Sequence, residues 1–133
     1  MTVEQGLVYA LRADGAVAAL IEDRIEPYPG TADLPRITYL LVDAPLRRSL
    51  DRARTGGKIR VQLNLHAATY ADVKQLQDAV FAALNGRTTP LGDFPSHACF
   101  VEDHADEPGP VVPGQPTGAR GVRMDIVIWY AQP

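Results

Sequence analysis

The stretch Lys58-Ile59-Arg60-Val61-Gln62-Leu63-Asn64-Leu65-His66 alternates apolar and polar side chains without a break. Successive side chains of a strand point to opposite faces, so Ile59, Val61, Leu63 and Leu65 make a buried face, while Lys58, Arg60, Gln62, Asn64 and His66 meet solvent or a neighbour. A sheet with one apolar face needs a second layer to cover it. A candidate follows at once: Thr69 and Asp72 have N-cap spacing, and Tyr70, Val73, Leu76, Val80 and Leu84 recur at helical intervals until Asn85-Gly86 ends the run.

Upstream of this pair, residues 36–42 form a β-rich run that is apolar on both faces, with Ile37, Tyr39 and Leu41 alternating with Thr38, Leu40 and Val42, as expected of a central strand. Arg24-Ile25-Glu26-Pro27 reads as a short extended piece before a proline-rich loop. At the N-terminus, Thr2 and Gln5 have the capping-box spacing, and Val3, Leu7, Ala10 and Leu11 mark one buried helical face. Asp14-Gly15 breaks that stripe, and Asp14 can cap a fresh turn over residues 16–21, giving two helical segments or one kinked helix.

Downstream, residues 97–101 read as a short strand. Val122, Met124, Ile126, Ile128 and Tyr130 alternate with Arg123, Asp125, Val127 and Trp129 in a long terminal strand. Two long loops are expected: 43–57, carrying Arg47, Arg48, Arg52 and Arg54 and ending in Gly56-Gly57, and 102–118, which holds four prolines and three glycines. The expected fold is α+β: a mostly antiparallel β-sheet of four to five strands packed against two α-helices, in the order α-β-β-β-α-β-β.

The chain is 133 residues long with a formal net charge of −3, which fits one domain and argues against neutralising a phosphate backbone as its main task. A single cysteine, Cys99, allows no intrachain disulfide and fits a reducing cytoplasm. The N-terminal residues lack a basic n-region, and charges interrupt every apolar run, so neither a signal peptide nor a spanning helix is expected.

No catalytic constellation emerges. His66, His97 and His104 have no metal-site spacing. Cys99 reads as a small core residue, and the glycines form no phosphate-cradling pattern. Glu102, Asp103, His104, Asp106 and Glu107 are the densest set of potential hard-cation ligands, read as a solvated acidic loop because the glycine of a calcium loop is missing. No metal, cofactor or catalytic residue is assigned. The strongest local charge is basic: Arg47, Arg48, Arg52, Arg54 and Lys58 face only Asp51. They suit an acidic protein surface or DNA phosphates.

Four segments together carry a resemblance. Asp14-Gly15-Ala16-Val17-Ala18-Ala19-Leu20-Ile21-Glu22-Asp23-Arg24-Ile25 leads into Pro27, and Leu34-Pro35-Arg36-Ile37-Thr38-Tyr39 enters the second strand. Arg60-Val61-Gln62-Leu63-Asn64-Leu65-His66-Ala67-Ala68-Thr69-Tyr70 joins the long strand to its helix, and Asp125-Ile126-Val127-Ile128-Trp129-Tyr130 closes the chain. In this order and spacing the sequence resembles the tail-completion and tail-terminator (head-tail joining) proteins of long-tailed bacteriophages, over nearly its whole length.

The resemblance implies one tail-terminator-like domain over residues 1–133 and a non-enzymatic virion protein. It implies a homo-oligomeric ring, usually a hexamer, at the head-proximal end of the tail, assembled in the host bacterial cytoplasm. The implied partners are further copies of the chain, the tail-tube protein and a head-closure or connector protein. DNA passes through the lumen without sequence-specific contact, and no membrane is involved. A ring needs two unlike complementary patches on each subunit; the basic segment and the acidic residues Glu102, Asp103, Asp106 and Glu107 have opposite sign and are the candidates. The alternatives are a head-tail connector stopper, a small nucleic-acid-binding domain using residues 47–58, and a small enzyme with the acidic segment as a metal site.

Overall fold

The computed structural model describes residues 2–28, 30, 33–43, 46–48, 54–108 and 120–130. Helix α1 (Val3–Ala13) begins with the expected capping box: the Gln5 amide donates to Thr2 Oγ1 at 3.2 Å and the Thr2 amide to Gln5 Oε1 at 2.9 Å. It stops at Asp14, whose side chain accepts from the Val17 amide at 3.0 Å and so starts helix α2 (Gly15–Ile21). The Asp14 amide meanwhile donates back to the Ala10 and Leu11 carbonyls, so one residue closes the first helix and opens the second.

Strands β1 (Ile25–Pro27), β2 (Arg36–Asp43), β3 (Leu46–Arg48) and β4 (Arg54–Ala67) follow, then helix α3 (Tyr70–Leu84), β5 (Ser96–Pro108) and β6 (Arg120–Tyr130). The sheet order is β1-β2-β4-β6-β5, with β3 on β4. Only the β1–β2 pairing is parallel. The α+β architecture and the element order are those expected from the sequence, with one added short strand. α3 carries the chain from β4 over to β5, and β6 then fills the position between them.

The two-residue alternation of β4 becomes the two faces of the sheet. Ile59, Val61, Leu63 and Leu65 are buried, beside Val122, Met124, Ile126 and Ile128 of β6 and Ile37 of β2. Leu7 and Leu11 of α1, Val17 and Ile21 of α2, and Val73, Leu76, Val80 and Leu84 of α3 complete the same core. Each such side chain contributes about 1.5–3 kcal/mol on burial, so this face holds the fold together. Gly57 lies opposite Tyr130, and a Cβ there would sit 2.7 Å from the Tyr130 hydroxyl. The glycine makes room for the buried ring, which tilts against Phe94 with centroids 5.5 Å apart.

Three expectations need correction. The predicted loop 43–57 contains β3 and the start of β4: Leu46 pairs with Gly57, Arg47 with Gly56 and Arg48 with Arg54, a hairpin arm. The predicted loop 102–118 begins as strand, since β5 continues through residue 108 and pairs with β6 as far as Pro108–Arg120. Residues 44–45, 49–53 and 109–118 of those two segments lie outside the described residues. Tyr70, assigned to the buried stripe of α3, is 54% exposed. It is the first residue of the helix, beyond the end of that stripe, and its hydroxyl contacts Asp106 instead.

Candidate functional site

The predicted acidic segment lies on β5 and is woven into its own subunit. Glu102 makes two contacts with the Arg60 guanidinium of β4, at 3.0 and 3.1 Å, reaching past β6 to do so. Asp103 is 3.9 Å from Arg123 of β6, which also approaches Asp125 at 3.8 Å. Asp106 is held by Lys74 of α3 and accepts from the Tyr70 hydroxyl at 3.4 Å. The Lys74 ammonium sits 5.1 Å from the Tyr70 ring centroid and also donates to Gln77 at 3.2 Å. The hydrogen bond with Asp106 raises the Lys74 pKa, and its counterpart lowers that of Asp106, so both are charged at neutral pH.

The basic candidates divide. Arg47 and Arg48 lie on β3 and Arg54 at the start of β4, all on the hairpin arm. Residues 54–56 have no partner in β6, so among the described residues this arm extends past the end of the sheet. Lys58 lies back on the sheet itself, its ammonium 5.6 Å from the centroid of the Trp129 ring directly across on β6. Arg52 lies outside the described residues, and Glu107 is placed only as a position on β5.

Of the apolar residues on the second face of the two-sided strands, Leu40 and Val42 are 44% and 50% exposed, whereas Val127 is buried and Trp129 half-buried. Sequence reading missed the exposure of neighbouring Leu41 and of Phe100 on β5. The only available signal was a strand apolar on both faces in a sheet with helices on one side. Also missed is an open groove of about 840 Å³ between α1 and the β1–β2 edge, lined by Gln5, Val8, Tyr9, Arg12, Ala13, Ile25 and Tyr39.

Burial pushes the Cys99 thiol up to about 12, so it stays protonated and unreactive. His66, opposite Arg36 on the polar face, has its pKa lowered by burial and by that guanidinium. Among the described residues, no group of three His, Cys, Asp or Glu side chains is placed to hold a metal ion, and no helix is long and apolar enough to cross a membrane.

Residues 5–110 match the family model described as tail completion protein gp17. The chain belongs to that family. As a tail completion protein it is a structural component of the bacteriophage virion. Among solved structures it is similar to a chain from the virion of a native gene transfer agent (GTA) particle, with a TM-score of 0.68 and 18% identity, covering 96% of this chain and 94% of the other. At that identity the likeness shows a shared fold. Among curated proteins, none matches its sequence.

Proposed function

We propose that this tail completion protein is a non-enzymatic subunit that assembles into a ring, a hexamer of one tail-terminator-like domain each, at the head-proximal end of the tail. There it ends growth of the tail tube and joins tail to head. The observation that carries the reading is the family match across residues 5–110. The layout of the subunit supports it. The arginine-bearing hairpin and the acidic residues of β5 lie on different sides of the sheet and toward opposite ends of its strands. A closed ring needs two such unlike patches, one meeting the other on the next copy.

In this reading Arg47, Arg48, Arg52, Arg54 and Lys58 of one subunit face Glu102, Asp103, Asp106 and Glu107 of its neighbour. The partners beyond the ring are the tail-tube protein and the head-closure or connector protein in the virion neck, after assembly in the host cytoplasm. DNA slides through the lumen past a chain of net negative charge, which does not retain phosphates. Light scattering on the purified chain, alone and with purified tail tubes, tests the proposal. The expected mass is six times the 14.4 kDa subunit; a chain that stays monomeric alone and on tail tubes overturns it.

A further inference from the structure

The sheet leaves two stretches of backbone edge open. β1 covers β2 only at residues 37–39, where the Tyr28 amide also donates to the Tyr39 carbonyl at 2.9 Å. Among the described residues, nothing pairs with the outer edge of residues 40–43 or of β3. On the opposite side, the 85–87 segment covers the first half of β5. Cys99 exchanges hydrogen bonds with Gly86 and Arg87 at 2.8 and 2.9 Å, and the Val101 amide donates to Asn85 Oδ1 at 3.1 Å. Beyond Val101, no backbone among the described residues pairs with the outer edge of residues 102–108. Each open stretch amounts to seven described residues.

Natural sheets blunt open edges with charge, proline, bulges or coverage, because unpaired N–H and C=O groups template pairing with another chain. The β2 stretch carries three consecutive exposed apolar residues, Leu40, Leu41 and Val42. The β5 stretch carries Glu102, Asp103, Asp106 and Glu107, and so discourages pairing with a second copy of itself.

We infer that these two edges are each other's partner: residues 40–43 and 46–48 of one copy take residues 102–108 of the next copy as an added strand, so that the sheet runs on from subunit to subunit. This rests on the ring reading above and specifies its contact. Strand direction agrees with it. β2, β4, β6 and β5 alternate in direction, so β5 runs opposite to β2. Rotation about a ring axis preserves the direction of each strand along that axis, and the new contact is therefore antiparallel, continuing the alternation.

The stagger agrees as well. Ala105, at the middle of one open stretch, is level with Arg123, Asn64 and Thr38 across the sheet, whereas the middle of the other stretch falls between Asp43, level with Arg60, and Leu46, level with Gly57. Bringing the two together requires a slip of about five residues, roughly 16 Å, over a repeat of four strand spacings, roughly 19 Å. That corresponds to strands tilted by about 40°, inside the 35–45° at which closed sheets form. Charge contributes orientation more than affinity. Glu102, Asp103 and Asp106 already pair with Arg60, Arg123 and Lys74, so Arg47 and Arg48 of the neighbour join existing ion pairs at the rim. The backbone bonds and the covered Leu41 and Val42 hold the contact.

The test is made on the full chain, under conditions where the wild type assembles, alone or on purified tail tubes. The double variant Leu41→Glu/Val42→Glu places carboxylates at two exposed positions that meet the acidic edge of the neighbour. It is expected to keep its circular dichroism and thermal transition while needing at least tenfold more protein to assemble. Hydrogen exchange on the wild type gives a second readout: amides in 40–43 and 102–107 are expected to gain protection on assembly. A variant that assembles as well as wild type, or a wild-type ring in which those amides exchange as in the monomer, overturns the edge pairing and leaves the ring intact. A wild type that never assembles overturns the ring reading and this inference with it.

Discussion

Asp14→Ala isolates the joint between α1 and α2. The substitution removes the 3.0 Å bond from the Val17 amide, the side-chain cap of a seven-residue helix that packs Val17 and Ile21 into the core. Losing such a cap costs about 1 kcal/mol, within a range of about 0.5–2. With an unfolding entropy of roughly 2.1 cal/mol/K per residue, each kcal/mol over 133 residues lowers the melting temperature by about 3.6 °C. The expected fall is therefore about 4 °C. Charge is not the source, because Asp14 sits at the negative end of α1 and the positive end of α2, where the two helix fields oppose one another. Asp14→Asn keeps an acceptor and should melt within about 1 °C of wild type, at low and high salt alike. Calorimetry or thermal circular dichroism decides the matter. If Asp14→Ala melts like wild type, or if Asp14→Asn falls as far as Asp14→Ala, the capping argument fails.

Two further outcomes follow from buried groups on the polar face of the sheet. Thr38 is fully buried and its hydroxyl has no hydrogen-bond partner among the described residues, so the isosteric Thr38→Val should raise stability by about 1 kcal/mol; an unchanged or lower denaturant midpoint would refute this. The folded state lowers the His66 pKa below its ordinary 6.5. The unfolded chain therefore binds the proton first, and the stability present above pH 6.5 is lost as pH falls through the folded-state value. Urea midpoints measured from pH 7.5 down to 5 should fall more steeply in wild type than in His66→Gln, and parallel curves would rule out this linkage.

Much of this fold is legible in the residues because local and global signals coincide. The alternation around Leu63, the Thr69 cap and the Asp14 break each place an element where it stands. Legibility fails where a strand is stabilised by partners distant in the chain. Glu102 and Asp106 look like loop residues because carboxylates disfavour strands, yet Arg60 lies 42 positions away and Lys74 lies 32 positions away. No local pattern reveals those pairings. The Gly56-Gly57 pair misleads for the opposite reason: it resembles a flexible joint, but Gly57 is required by the ring of Tyr130 on another strand. For the candidate surface, composition identified the charged residues. It could not show that three of the carboxylates are already paired within the subunit, nor that the apolar run at residues 40–42 is exposed on an edge left open among the described residues.

β4 is bonded to β2, β3 and β6 at once, and only its parity decides which side chains meet the helices. That makes it tolerant in one respect and brittle in another. Ile59, Val61, Leu63 and Leu65 can each drift among apolar residues of similar volume while the layers stay in place. One residue inserted among them would turn half the strand over, carrying Arg60 or Gln62 into the core and setting three neighbours out of step. A lineage carrying this subunit is therefore free to change its letters along this strand, but not to change its count.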